Sequence, residues 1–251
     1  MALSLRAIVA YDGTDFHGFQ RQKNARSVQG ALEEALSNTC DEAVSVVGAG
    51  RTDAGVHAAG QVIAFKVNWS HALPELHRAL NVRLPGDVAV LDVAECDEAF
   101  HPRYSARSRV YEYTVTVNPV RHPLLRRYTW QIESDLNAVL MNEAAAVLVG
   151  EHDFAAFGTA PQGDVTMRKV LRADWQLIGP SERQSGSILR FTIEANAFLF
   201  RMVRHIVIAL VQVGRKKLSA GDMRDILASR DSQRIKGIAP ACGLSLVKVT
   251  Y

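Results

Sequence analysis

One carboxylate in this chain stands among residues that are nearly all small. Asp53 lies in the run Gly48-Ala49-Gly50-Arg51-Thr52-Asp53-Ala54-Gly55-Val56-His57. Val44, Val46 and Val47 lead in like a strand, and residues 61–67 lead out with Val62, Ile63, Phe65 and Val67 apolar. The run therefore reads as a loop between two strands. Its glycines let the backbone turn sharply and let a bulky ligand approach closely. Arg51 and His57 add positive charge or hydrogen-bond donors beside the single acid. That combination suits a carboxylate nucleophile facing an anionic substrate, with Arg51 binding it. The same residue types also build ordinary turns, in which Asp53 would bond its own backbone two residues on.

Two further residues have chemistry to explain. Arg204 falls in an apolar helical pattern, on one face with Phe200, Val207, Ile208 and Val211. A charge on such a stripe is costly unless paired. A carboxylate partner is expected, and Asp53 is the best candidate, since a neighbouring guanidinium favours the ionised acid. Snorkelling to the surface, or pairing with another acid, is the alternative. Tyr111 follows Arg107-Ser108-Arg109-Val110 in a strand pattern. It is either core packing or an aromatic that stacks on a base beside its phosphates.

The elements that must position these residues alternate along the chain. Residues 5–11 read as a strand. A helix is expected from Ser27 as N-cap to about residue 37, with Val28, Leu32, Ala35 and Leu36 on its apolar face. Residues 73–80 read as a second helix and 88–94 as a strand. The clearest strand is 110–117, with Tyr111, Tyr113, Val115 and Val117 on one face. A boundary is expected near Asn118-Pro119, dividing the chain into lobes 1–118 and 119–251. The second lobe opens with a helix capped by Ser134 or Asp135 and closed by Gly150. Strands follow at 170–177 and 187–195, then a long helix at 198–213 stopped by Gly214. A helix at 220–228 and a final strand at 244–251 complete it. The fold class is α+β: two lobes of mixed, mainly antiparallel sheets flanked by helices, with an active-site cleft between them.

Composition narrows the setting. The 251 residues are 48% hydrophobic and 22% charged, close to the globular average. No apolar run approaches the ~18 residues of a membrane span, and the N-terminus lacks a signal-peptide pattern, Arg6 interrupting it. Cys40, Cys96 and Cys242 are odd in number and widely spaced, which suggests reduced thiols in a cytoplasmic protein and no zinc spacing. His57, His101 and His205 also lack ligand spacing and read as structural or RNA-contacting. The net charge of +3 hints weakly at an anionic partner. Basic residues gather at Arg103, Arg107 and Arg109; Arg121, Arg126 and Arg127; Arg168, Lys169 and Arg172; and Arg215, Lys216 and Lys217. Each cluster is either solvated surface or part of a phosphate-binding groove.

Gly50-Arg51-Thr52-Asp53 also resembles the signature of the tRNA pseudouridine synthase A family. The similarity covers almost the whole chain. It includes Tyr11-Asp12-Gly13-Thr14, Phe16-His17-Gly18-Phe19-Gln20, Arg26-Ser27-Val28-Gln29, Leu84-Pro85-Gly86-Asp87 and Phe100-His101-Pro102-Arg103-Tyr104-Ser105-Ala106. It continues through Tyr111-Glu112-Tyr113, residues 150–157, Asn196-Ala197-Phe198 and Met202-Val203-Arg204. Ile208, where the family tends to have Gly, and Ser245, where an aromatic is common, depart from the pattern. The resemblance implies the pseudouridine synthase fold and an isomerase that converts uridine to pseudouridine at positions 38, 39 and 40 of the tRNA anticodon arm. It implies Asp53 as nucleophile or base, Arg204 paired with it, and Tyr111 against the target base. It further implies a homodimer with no cofactor and no metal.

Two other function classes fit part of the pattern. A non-catalytic tRNA-binding protein would use the same basic and aromatic residues, without need of an Asp53–Arg204 pair. A glycosidase or nucleoside hydrolase would want two acids flanking the bond, and only Asp53 lies in a clear motif.

Overall fold

The computed structural model describes residues 2–160, 163–179 and 186–251. The chain divides into two compact units, Met1–Arg107 with Ser245–Tyr251, and Ser108–Leu244. The strand anticipated at 110–117 thus belongs to the second unit, about ten residues before the boundary expected from sequence, and the last strand returns to the first.

The first unit is a sheet backed by helices. Its elements are β1 (Leu3–Tyr11), α1 (Val28–Cys40), β2 (Val47–Gly48), β3 (His57–Val67), α2 (Leu73–Arg83) and β4 (Val88–Glu95), together with β10 (Leu244–Thr250) from the end of the chain. Within the unit the strand order is β4-β1-β3-β10, with β2 on β3. β1 runs antiparallel to both β3 and β4, opposing Leu5 to Phe65 and Ala7 to Ile63. β10 joins β3 in parallel, Ser245 opposite His57 and Leu246 opposite Ala58. Leu5, Ala7 and Val9 alternate inward as a half-buried strand requires. Ser27 caps α1 as expected, its hydroxyl accepting the Gly30 N–H at 3.2 Å. Leu32, Ala35 and Leu36 of that helix meet Ile63, Phe65, Leu80 and Val90 in one apolar cluster.

The second unit contains β5 (Ser108–Val117), β6 (Trp130–Ile132), α3 (Ala138–Ala146), β7 (Gly150–Asp153), β8 (Met167–Ile178), β9 (Ser187–Ala195), α4 (Met202–Gly214) and α5 (Ala220–Ser229). Its strands run in the order β5-β9-β8-β7, all antiparallel, with β6 parallel on β5. Tyr113, Val115 and Val117 point inward from β5, and Tyr113 is fully buried with its hydroxyl donated to the Pro240 carbonyl at 2.8 Å. Burial drives the Tyr113 phenol far above its ordinary value. α5 starts with a capping box in which Ser219 and Asp222 satisfy each other's backbone.

Three local expectations change. α3 is capped by Asn137, not by Ser134 or Asp135, because the Asn137 side chain accepts the Leu140 N–H at 3.1 Å. α4 starts at Met202, not at 198: Arg201 is left-handed at φ 62° and Phe200 donates its N–H to Thr159 O at 2.9 Å, holding 198–201 outside the helix. Phe200 therefore does not share the Arg204 face. Gly214 ends α4, but the left-handed residue beyond it is Lys216 at φ 59°. Gly214 serves packing instead: a Cβ there would sit 2.6 Å from Met141 Sδ of α3.

Asp153, at the end of β7, accepts hydrogen bonds from the Thr166 hydroxyl at 2.6 Å and the Ala155 N–H at 3.0 Å, and pairs with Arg230 at 3.0 Å. The Thr166 hydroxyl contributes most to holding this carboxyl below its ordinary value of 3.8, against an opposing effect of burial. A depressed folded-state value gives stability that is present above pH ~4 and lost as pH falls through that value. Asp153→Asn is expected to lower Tm at pH 7 by about 2–4 °C. The gap from wild type should close as melts are taken below pH ~4; a gap independent of pH would contradict this role.

Candidate active site

Residues 49–56 connect β2 to β3 and carry Asp53. The loop is held on three sides inside the first unit. At the end of β1, the Tyr11 hydroxyl meets the Thr52 hydroxyl at 2.8 Å, both residues being buried. From within β3, the fully buried Gln61 donates its Nε2 to Gly50 O at 2.8 Å. From the segment after β1, the Phe19 N–H donates to Thr52 O at 3.0 Å. Asp53 itself opens a turn in which its carbonyl accepts the Val56 N–H at 3.1 Å, with Gly55 at φ 77°. The turn reading of the motif is thus realised in the backbone, while the Asp53 side chain stays half-buried.

The segment 12–26 clasps this loop and explains two glycines. Gly18 sits at φ +98°, and a Cβ there would lie 2.9 Å from Thr52 O. A Cβ at Gly13 would overlap the Val56 carbonyl. The Gly13 N–H lies 3.0 Å from His57 Nδ1, and Asp12 Oδ1 lies 3.2 Å from the same nitrogen. Arg26 anchors the clasp to the loop before β4 through a bidentate pair with Asp87 at 2.6 and 2.8 Å. This hydrogen bonding raises the Arg26 guanidinium above its ordinary value.

The sequence-predicted site residues fall into two pairs. Arg51 and Asp53 belong to the first unit, Arg51 exposed and two residues from the acid. Tyr111 and Arg204 belong to the second. Tyr111 is half-buried in β5, and the Phe198 ring meets it edge-on with centroids 5.0 Å apart. Arg204 lies in the first turn of α4, on a face with the buried Val207 and Val211. Its Nε donates to Ala239 O at 2.7 Å, and Ala239 returns its N–H to Arg204 O at 3.3 Å. The main chain at 239 thereby takes part in satisfying a half-buried cation.

The basic clusters are partly committed to the protein itself. Arg172 pairs with Asp174, Arg109 donates to Asn196 O, and Arg168 donates to Val165 O and Met167 O. Burial lowers the Arg168 guanidinium below its ordinary value. Arg215, Lys216 and Lys217 follow the C-terminus of α4, where the helix dipole favours cations. Among the described residues, no three His, Cys, Asp or Glu side chains gather as a metal site would require. His101 Nδ1 faces backbone N–H groups, and His205 Nδ1 faces the Phe157 carbonyl. Tyr11 and Thr52 stand in the sequence only as members of motifs, and Gln61 only as a polar residue at an inward position of an apolar strand; no local pattern marks any of them as a support of the loop.

Comparison with known proteins bears on this loop. A family model described as tRNA pseudouridine synthase matches residues 7–105 and 144–251, which include Arg51, Asp53 and Arg204 but not Tyr111. The tRNA pseudouridine synthase A of Thermoanaerobacter sp. (strain X514) is 38% identical over 244 residues, 97% of this chain and 98% of that protein. The protein of that name from Dictyoglomus thermophilum is 40% identical over 245 residues, 97% of each chain. The one from Chloroflexus aurantiacus is 41% identical over 249 residues, covering 99% and 88%. With the model matching most of its length and relatives of this identity running from end to end, the chain belongs to the tRNA pseudouridine synthase family.

Proposed function

We propose that this protein converts uridine to pseudouridine at positions 38, 39 and 40 in the anticodon arm of tRNA, with Asp53 as nucleophile and without a cofactor. The observation that carries the reading is the placement of Asp53. It is half-buried on a turn fixed by Tyr11, Gln61 and Phe19, beside an exposed Arg51, in a segment shared with the family.

The chemistry is an isomerisation and balances within the nucleoside. The target uridine leaves its stack at a cost of a few kcal/mol. Asp53 engages the nucleoside, at the sugar or at the base, and the N1–C1′ bond breaks. The uracil turns while held against Tyr111, and C5 bonds to C1′. The C5 hydrogen leaves to solvent, N1 takes up a proton, and the Asp53 carboxylate is released. Arg204 is the second catalytic residue of this reading, and Arg51 faces the RNA backbone. The protein acts in the cytoplasm as a homodimer.

Asp53→Asn is expected to reduce pseudouridine formation at these positions about 10³-fold or more, with tRNA affinity within a few-fold of wild type. Chemical mapping of pseudouridine and equilibrium binding read the two quantities, and retained turnover would contradict the nucleophile assignment. Arg204→Met is expected to lower turnover and to destabilise the fold by about 1–3 kcal/mol, because it strips the Ala239 carbonyl of a donor. An unchanged Tm together with an unchanged rate would contradict both parts of that role.

A further inference from the structure

A second grouping in the first unit has the chemistry of a base-binding surface. The segment 100–107 wraps the C-terminal end of β10. Arg107 donates its N–H to Thr250 O at 2.8 Å, the Tyr251 hydroxyl donates to Pro102 O at 2.9 Å, and the Phe100 and Tyr251 rings pack 4.9 Å apart. The segment is braced internally as well. Ser105 donates its N–H to His101 O at 2.9 Å and accepts the His101 N–H on its hydroxyl at 3.2 Å. His101 Nδ1 faces the N–H groups of Arg103 and Tyr104 at 3.2 and 3.3 Å. On this fixed turn Tyr104 is 71% exposed. Its ring lies against the His101 imidazole, centroids 4.3 Å apart and planes 34° from parallel, and the Arg103 guanidinium lies over the ring 5.6 Å from its centre, leaving most of the side chain open to solvent.

A scattered exposed aromatic needs no explanation. One whose orientation is set by a doubly braced turn, backed by an imidazole and accompanied by a guanidinium, is the arrangement on which a nucleobase stacks while a cation meets its phosphate. We propose that Tyr104, supported by His101 and Arg103, is a stacking platform for one unpaired nucleobase of the RNA substrate, at a distance from the reacting uridine. The proposal rests on the RNA-modifying function above and adds a second RNA contact to it.

The strand between the two places sets the distance. Ser245 and Leu246 at the start of β10 pair with His57 and Ala58, at the end of the Asp53 loop, whereas Thr250 and Tyr251 bond to the platform segment. Six residues of strand span about 20 Å. A stacked strand advances roughly 3.4 Å per nucleotide. The base on Tyr104 is therefore a flanking nucleotide several positions from the one at Asp53, and not the target.

The test is the Kd and KM of the full-length protein for tRNA, with wild type compared with Tyr104→Ala, Tyr104→Phe and Tyr104→Trp. Stacking predicts a loss of about ten-fold for Tyr104→Ala and values within about two-fold of wild type for Phe and Trp. The slope of log Kd against log salt should be unchanged in Tyr104→Ala and reduced by about 1 in Arg103→Gln. Wild-type affinity in Tyr104→Ala overturns the platform. An equal loss in Tyr104→Phe also overturns it, since the hydroxyl would then be the contact. Sedimentation showing that Tyr104→Ala alters the oligomeric state overturns it in favour of a protein interface. If wild type forms no pseudouridine yet the variants show the predicted affinities, the catalytic reading fails and the platform stands.

Discussion

The arrangement around Asp53 depends on one buried contact, the hydroxyl of Tyr11 against the hydroxyl of Thr52 at 2.8 Å. Both residues are removed from water, so each hydroxyl would cost about 1–3 kcal/mol if left without its partner. The contact ties the last residue of β1 to the residue before the acid. Gln61 does the same from β3 by holding the Gly50 carbonyl. A loop of small residues has little side-chain packing of its own. Its shape is therefore imposed by hydrogen bonds from the two strands beneath it, and a glycine-rich sequence becomes a fixed support for a carboxylate.

The remainder of the first unit keeps those strands in place. Antiparallel pairing sets Leu5 against Phe65 and Ala7 against Ile63, and α1 and α2 seal that face with Leu32, Leu36 and Leu80. The bidentate Arg26–Asp87 pair closes the 12–26 segment over the loop, where Gly13 and Gly18 approach too closely for any side chain. In the second unit, Arg204 is oriented by helix α4 and by its exchange of hydrogen bonds with Ala239. In both units a side chain from a regular element holds an irregular segment: Tyr11 of β1 and Gln61 of β3 hold the Asp53 loop, and Arg204 of α4 holds the main chain at Ala239.

Much of this was legible in the sequence, for identifiable reasons. The Ser27 cap, the inward alternation of Tyr113, Val115 and Val117, and the loop flanked by Val47 and Val62 follow from local periodicity and capping chemistry. Periodicity carries no information on elements of three or four residues, so β6 and β7 were not foreseen. It also placed Phe200 in a helix, because the bond that holds it outside comes from Thr159, distant in sequence. The acid of the candidate site was visible through its motif. Its supports were not, since Tyr11 and Gln61 lie in strands where Tyr reads as packing and one Gln reads as noise. The return of β10 to pair with His57 is a long-range event that no local pattern encodes.

If the hydrogen bonds from β1 and β3 preorganise the Asp53 loop, losing one of them slows any reaction that uses this carboxylate. Release of tritium from tRNA labelled at uracil C5, under single-turnover conditions and saturating protein, compares wild type with Tyr11→Phe most directly. A misplacement of about 1 Å can cost on the order of 100-fold in rate. Wild type is expected to release tritium, and Tyr11→Phe, still folded and still binding tRNA, to do so at least about ten-fold more slowly. Equal rates in the two proteins would contradict that preorganisation.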